Sequence, residues 1–178
     1  MRNKFVEINP DEFNYSAFKL IAKDWLQITA KAEDRVNTMT ASWGGVGQIW
    51  GKNAAFIFIR PQRFTKTLVD KSDVLTLQVL PELLRKTNSY FGRASGFDED
   101  KIKASGVTVL SEGEHVYFDE SDVVLFCRKM YAQELNKESF IDKSNIDKWY
   151  PQSDYHTMYV VAIEKLLVSE NFKKAHNL

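Results

Sequence analysis

The chain is 178 residues long. At roughly 150 residues per domain this argues for one domain spanning residues 1–178 and against a two-domain enzyme. Hydrophobic residues make up 44% and charged residues 27%, a balance that excludes intrinsic disorder as the main state, while the 24 basic and 24 acidic side chains cancel. No global field draws such a protein to nucleic acid or to an anionic membrane, so an anionic ligand must be caught locally.

Residues 1–14 hold alternating charges where a signal peptide needs an unbroken apolar stretch, and nowhere does the chain reach the ~20 apolar residues of a membrane span. Residues 11–22 follow a helical period with Phe13, Ala17, Phe18 and Ile21 on one face. Residues 25–30 alternate into a strand, and residues 37–42 form a second one rich in threonine. Residues 44–53 are glycine-rich but satisfy neither common nucleotide motif. A P-loop needs glycine at Val46 and a hydroxyl residue at Asn53, and a dinucleotide fingerprint needs its third glycine at Trp50. They read as a loop that lets the chain turn. The apolar run 54–59 reads as a central strand.

Short helices are expected at 65–70, 81–89 and 98–105, the last capped by Asp98 and closed by Gly106. Strands are expected at 74–80, 122–131 and 157–168. The residues from Ser169 onward, 169–178, read as a loosely held C-terminal tail. These helices are too short and too irregularly placed for repeated βαβ units, so the pattern predicts a mainly β, antiparallel barrel with peripheral helices.

The single cysteine, Cys127, excludes an intrachain disulfide and a multi-cysteine metal site, reads as a buried strand residue, and fits a reducing, cytoplasmic setting. His115, His156 and His176 lie far apart without ligand spacing, so no metal site is expected. No G-x-S-x-G elbow is present. Residues 60–67 are more informative. Arg60, Arg63, Lys66 and the hydroxyls of Thr65 and Thr67 stand between a buried strand and a helix start, where free backbone N–H groups add partial positive charge. That is the chemistry of a phosphate seat, with a solvated basic turn as the equal alternative. Thr38, Thr40 and Ser42 share one face of their strand by the two-residue period, and Asn37 opens it. Such a face either meets a polar ligand or looks at solvent.

Four pieces in order, Asn-Thr-Met-Thr-Ala-Ser-Trp-Gly-Gly at 37–45, Arg-Pro-Gln-Arg-Phe-Thr at 60–65, Ser-Gly-Phe-Asp-Glu-Asp-Lys at 95–101 and Asp-Tyr-His at 154–156, resemble the flavin reductase-like family, in its flavoredoxin-like branch. The resemblance implies an FMN-binding split β-barrel, usually a homodimer. It implies an oxidoreductase in which NADH or NADPH delivers hydride to flavin N5, or an electron-transfer carrier serving a redox protein partner, or a non-enzymatic flavin binder. In that frame Asn37, Thr38, Thr40 and Ser42 match the strand against the ring and ribityl chain. Arg60, Arg63 and Thr65 match the phosphate turn, Ser95, Gly96 and Lys101 a segment closing over the flavin, and His156 a position near the ring with a catalytic role. The chain departs from the family at Phe97, where many relatives carry arginine after the Ser-Gly pair, with Arg93 nearby.

Overall fold

The longest runs of β-branched and aliphatic residues become the longest strands of the computed structural model, which describes residues 4–178. Among these residues the strands are β1 (Phe5–Ile8), β2 (Leu26–Ala32), β3 (Arg35–Ala41), β4 (Gly44–Ile49), β5 (Lys52–Ile59), β6 (Val74–Val79), β7 (Val109–Glu112), β8 (His115–Phe118), β9 (Val123–Glu134) and β10 (Thr157–Ser169). The helices are α1 (Ala17–Lys19), α2 (Phe64–Lys71), α3 (Arg85–Arg93), α4 (Lys101–Ser105), α5 (Ser144–Trp149) and α6 (Glu170–His176).

The main sheet is antiparallel in the order β3-β2-β6-β9-β10-β5-β4, with β1 also on β10, and β7 and β8 form a separate hairpin. β10 pairs with β9 along its whole length, with β5 through Thr157–Ala162 and with β1 near its end. Register shifts at Val160/Val161 and Ile163/Lys165 mark bulges, which increase twist and let so long a strand bend around a core. The sheet is a split barrel around Ile28, Met39, Ile57, Leu77, Leu125 and Val161, each at most 5% exposed. A second cluster, Leu80, Phe91, Ile102 and Phe118, joins α3, α4 and β8 outside it. Cys127 lies in β9 and is fully buried.

Between the barrel and that outer layer runs a buried polar seam. Gln27, Thr29, Thr38, Thr76 and Gln78 are 0% exposed. The Gln78 amide donates to Thr29 Oγ1 (2.8 Å) and Thr76 Oγ1 (3.1 Å), and its carbonyl accepts from the Phe118 backbone N–H (2.7 Å) and the Ser121 hydroxyl (2.9 Å). Gln27 Nε2 donates to Asn88 Oδ1 at 3.0 Å. The seam explains why residues 74–80 alternate apolar and polar side chains although both faces of β6 are buried: Thr76 and Gln78 face partners, not water.

Several sequence expectations are corrected. Residues 44–49 form the edge strand β4 instead of a loop, because Trp50 (φ 52°) and Gly51 (φ 67°) make a two-residue turn with both φ values positive, pairing Ile49 with Lys52. Residues 11–22 are not one helix. A capped turn at Pro10–Glu12 precedes α1, which Ser16 caps, and α1 runs into a wide π turn at Leu20–Asp24. The interruption shifts the helical phase, so Leu20 and Ile21 are buried while Phe18 is 89% exposed. Asp100, not Asp98, caps α4 through its bond from the Lys103 N–H. The residues after Ser169 are not a loose tail: Ser169 caps α6 and donates to Asp122, and Phe172 packs against Tyr15.

Candidate functional site

β3 ends at Ala41, β5 ends at Ile59 just before Arg60, α2 starts after Arg63, and β10 starts after His156. These chain ends meet at one place. Met39, Thr40, Ala41, Ser42, Trp43, Phe58, Arg60, Arg63, Trp149 and His156 line a cleft of about 250 Å³. A larger groove of about 790 Å³, between residues 81–84, 119–122 and α6, holds none of the expected site residues.

The cleft has three walls. The first is hydroxylic. Thr40 Oγ1 lies 2.6 Å from the Asn88 carbonyl and 3.0 Å from Gln27 Oε1, so the seam fixes its rotamer, while Ser42 is exposed just beyond the strand. A Cβ on Gly92 would stand 3.3 Å from Thr40 Cβ, which is how closely α3 covers this strand. The second wall is aromatic: Trp43 meets Trp149 edge-on at 5.0 Å and His156 at 5.1 Å between ring centres.

The third wall is cationic. Arg60 is ion-paired with Asp154 and donates to the Trp149 carbonyl at 2.9 Å; Gln62 donates to the same carboxylate at 2.8 Å. Those bonds hold the Asp154 carboxyl below its usual range, Gln62 contributing most. Arg63 is half-buried and donates to the Gly92 carbonyl at 2.8 Å; burial, then Arg60, lowers its pKa. Behind it Lys101, only 3% exposed, donates to the carbonyls of Phe91 (2.8 Å) and Ala94 (3.0 Å). Burial and then the Arg63 charge push its pKa down to about 8.

The sequence-expected residues fall in several places. Thr40, Ser42, Arg60, Arg63 and His156 line the cleft itself. Asn37, Thr65 and Gly96 sit together at the start of α2: Asn37 Nδ2 donates to Thr65 Oγ1 at 2.9 Å, and a Cβ on Gly96 would come within 2.5 Å of Phe64 and 2.9 Å of Asn37. Ser95 accepts from the Phe97 N–H, and Phe97 lies exposed against Phe64. Thr38 is in the seam, bonded to Thr29 Oγ1 at 2.8 Å and to the Ile28 carbonyl, away from the cleft. The face it shares with Thr40 is covered at Thr40 by α3 instead of meeting solvent.

His156 is 8% exposed, its Nδ1 lies 2.9 Å from the Tyr150 hydroxyl, and burial followed by Arg60 pushes its pKa down to about 4. The ring is therefore neutral near pH 7. Sequence reasoning missed Met39, Trp43, Phe58, Trp149 and Tyr150. The last two belong to a polar excursion whose local signal is Asp142, which accepts from the Ser144 N–H and hydroxyl at the start of α5.

The architecture is that of FMN-binding flavin reductase-like domains and flavoredoxins. The FMN-binding domain of a flavin reductases-like enzyme from Shewanella baltica OS155 matches with a TM-score of 0.70 at 13% identity, over 95% of this chain and 79% of that one. A flavoredoxin from Methanosarcina acetivorans matches with a TM-score of 0.64 at 17% identity, over 93% and 75%. The flavin reductase of styrene monooxygenase from Pseudomonas putida S12 matches with a TM-score of 0.60 at 11% identity, over 83% and 80%. No protein-family model and no curated protein matches the chain. Among the described residues no helix is long and apolar enough to cross a membrane, and no group of three or more His, Cys, Asp or Glu side chains could hold a metal ion.

Proposed function

We propose that the chain is an FMN-binding flavoprotein and an oxidoreductase that takes hydride from NADH or NADPH. The observation that carries FMN is the neighbouring pair Arg63 and Lys101. Both are desolvated, both are bonded to backbone carbonyls, and among the described residues neither forms an ion pair with a carboxylate. A buried and a half-buried cation without an anion are costly, and a phosphate dianion would relieve the cost. Arg63 can fork further donors onto phosphate oxygens, and Lys101 has a third N–H to give. Thr65 and Asn37 stand ready beside them, and Arg60, already paired with Asp154, serves chiefly to shape the turn.

Thr40 and Ser42 offer hydroxyls to a polyol chain, and Met39, Ala41 and Trp43 offer apolar walls to a flat ring. Bound FMN supplies the redox chemistry, a ring that accepts a hydride; the protein supplies alignment and excludes water. The matched reductase and flavoredoxin folds are consistent with this reading. A reducing, cytoplasmic setting and a homodimer go with it, the latter supported by Trp50 (62% exposed) beside Tyr131 (41%).

The alternative is an electron carrier that serves a redox protein partner. It is favoured by the edge-on Trp43–Trp149 pair, which lines the cleft with rings that are 37% and 39% exposed, a surface a protein partner can meet. Anaerobic rapid mixing of the FMN-loaded protein with NADH and NADPH separates the two. A reductase bleaches at a rate that saturates with one nicotinamide; a carrier is reduced by dithionite and by neither nicotinamide.

A further inference from the structure

The excursion between β9 and β10 supplies the cleft with His156 and places Tyr150 behind it, in contact with its ring. Tyr150 is 5% exposed, and its hydroxyl lies 2.9 Å from His156 Nδ1. Its ring is stacked on Tyr155 at 4.9 Å and meets Phe140 edge-on, so the phenol is held by apolar neighbours. Among the described residues that hydroxyl has no second hydrogen-bond partner.

We propose that Tyr150 is a positioning residue that locks His156 in the tautomer carrying its hydrogen on Nε2, making the ring an uncharged hydrogen-bond donor to the occupant of the cleft. If the phenol donates to Nδ1, its hydrogen is met and Nδ1 is met. If Nδ1–H donated to the phenol oxygen, the phenol hydrogen would be left buried among rings without an acceptor. Donation by Tyr150 therefore wins and forces the imidazole hydrogen onto Nε2.

The charged groups around the ring agree with a neutral imidazole. Arg60 and Arg63 oppose its protonation and outweigh Asp154, whose Oδ2 is taken by Arg60 and Gln62 and whose Oδ1 has no hydrogen-bond partner among the described residues. Burial acts in the same direction. The ligand class follows from the donor: a planar ring presenting a carbonyl oxygen or an electron-rich ring nitrogen toward the His156 wall. With Nδ1 engaged and Nε2 protonated, His156 aligns such a ring and does not act as a general base near pH 7.

The tautomer stands independently of the flavin reading, whereas the ligand class rests on it, and the tests are divided accordingly. In ¹⁵N-histidine-labelled protein without flavin, His115 and His176 are identified by substitution with glutamine. Long-range ¹H–¹⁵N spectra at pH 6–8 should show His156 with a pyrrole-like Nε2 and a pyridine-like, hydrogen-bonded Nδ1. A protonated Nδ1, or an even mixture, overturns the proposal. In Tyr150→Phe the Nδ1 resonance should move and the Nδ1–H form should gain population; an unchanged spectrum in a folded variant removes Tyr150 as the lock. If that variant does not fold, the wild-type spectrum decides the tautomer.

The second arm uses His156→Gln, whose side-chain amide places an N–H near the position of Nε2. With FMN and nicotinamide, His156→Gln should retain reduction within about threefold of wild type while His156→Ala falls by about tenfold or more. Equal losses in the two variants overturn the donor role. Wild-type protein that takes no hydride from either nicotinamide defeats the reductase reading and leaves the tautomer measurement intact.

Discussion

The Arg60 guanidinium is paired with the Asp154 carboxylate, which ties the turn after β5 to the turn before β10 and seats His156 two residues further on. Arg60 is thus fixed in place by an internal carboxylate, whereas among the described residues Arg63 donates to a carbonyl and pairs with no carboxylate. The two arginines of one turn have different work. Arg60→Ala should lower stability by ~1 kcal/mol, as for a partly exposed pair, and displace the 149–156 segment while keeping the preference for FMN over riboflavin. Chemical denaturation and paired flavin titrations check it; loss of the preference would make Arg60 a phosphate ligand.

Arg63→Ala should weaken FMN by about 1.5–3 kcal/mol, the worth of a hydrogen bond to a charged group, and leave riboflavin affinity unchanged. Fluorescence titration of both flavins measures this. Equal weakening of the two would place Arg63 outside the phosphate contact.

Lys101 gives a pH dependence with a definite sign. Its pKa falls from the ordinary 10.5 to about 8 in the folded protein, so between those values the unfolded chain binds more protons. Stability without flavin should rise from about pH 8 toward pH 10.5, and this contribution should be lost as pH falls through 8. FMN affinity should decline over the same rise in pH, because the ammonium that meets the phosphate is being neutralised. Lys101→Met should lack both slopes in denaturation and binding profiles.

His156 carries a slope of its own at lower pH. Its folded pKa of about 4 lies below the ordinary 6.5, so its contribution to stability is complete above pH 6.5 and is lost as pH falls toward 4. In His156→Ala that part of the acid limb should flatten. The variant should keep bound FMN and its yellow colour, with reduction slowed by roughly 10-fold, the scale of a lost contact worth ~1.4 kcal/mol.

Gln78 is bonded to Thr29, Thr76, Ser121 and the Phe118 N–H. Gln78→Ala should cost ~3 kcal/mol or more, since each orphaned buried partner costs ~1–3 kcal/mol. Urea denaturation checks this, and Thr29, whose hydroxyl accepts from the Gln78 amide, should lose order in the same variant.

The sequence made legible those features that depend on side-chain chemistry at short range. Residues 54–59 and 157–168 announced strands through β-branched and aromatic runs, and Arg63 and Thr65 announced a cationic helix start. β4 was hidden because glycine carries no alternation signal, and its partner Phe56 decides the conformation: a Cβ at Gly44 would lie 2.4 Å from the Phe56 carbonyl oxygen. The fate of Thr38 was hidden for a different reason. A threonine face reads alike whether it meets solvent, a ligand or a buried polar partner, and only the register Thr29↔Thr38, with Gln78 bonded to Thr29 behind it, selects the third. Trp149 reaches the cleft, and Tyr150 the back of His156, through a fold-back of the 135–156 segment that no local period encodes.

β10 follows β1, β5 and β9 in the chain, yet all three pair with it. During synthesis β5 therefore waits with one backbone edge unpaired for about a hundred further residues, a span that separates Thr157 from its partner Ile59. Closing so large a loop is entropically slow, and an open apolar edge invites pairing with other chains meanwhile. Interrupting translation before residue 157 would leave a β5 with no neighbour on that side. Yield in a cell is then governed by how quickly the central strand arrives and by what shields the waiting edge, more than by the stability of the finished barrel.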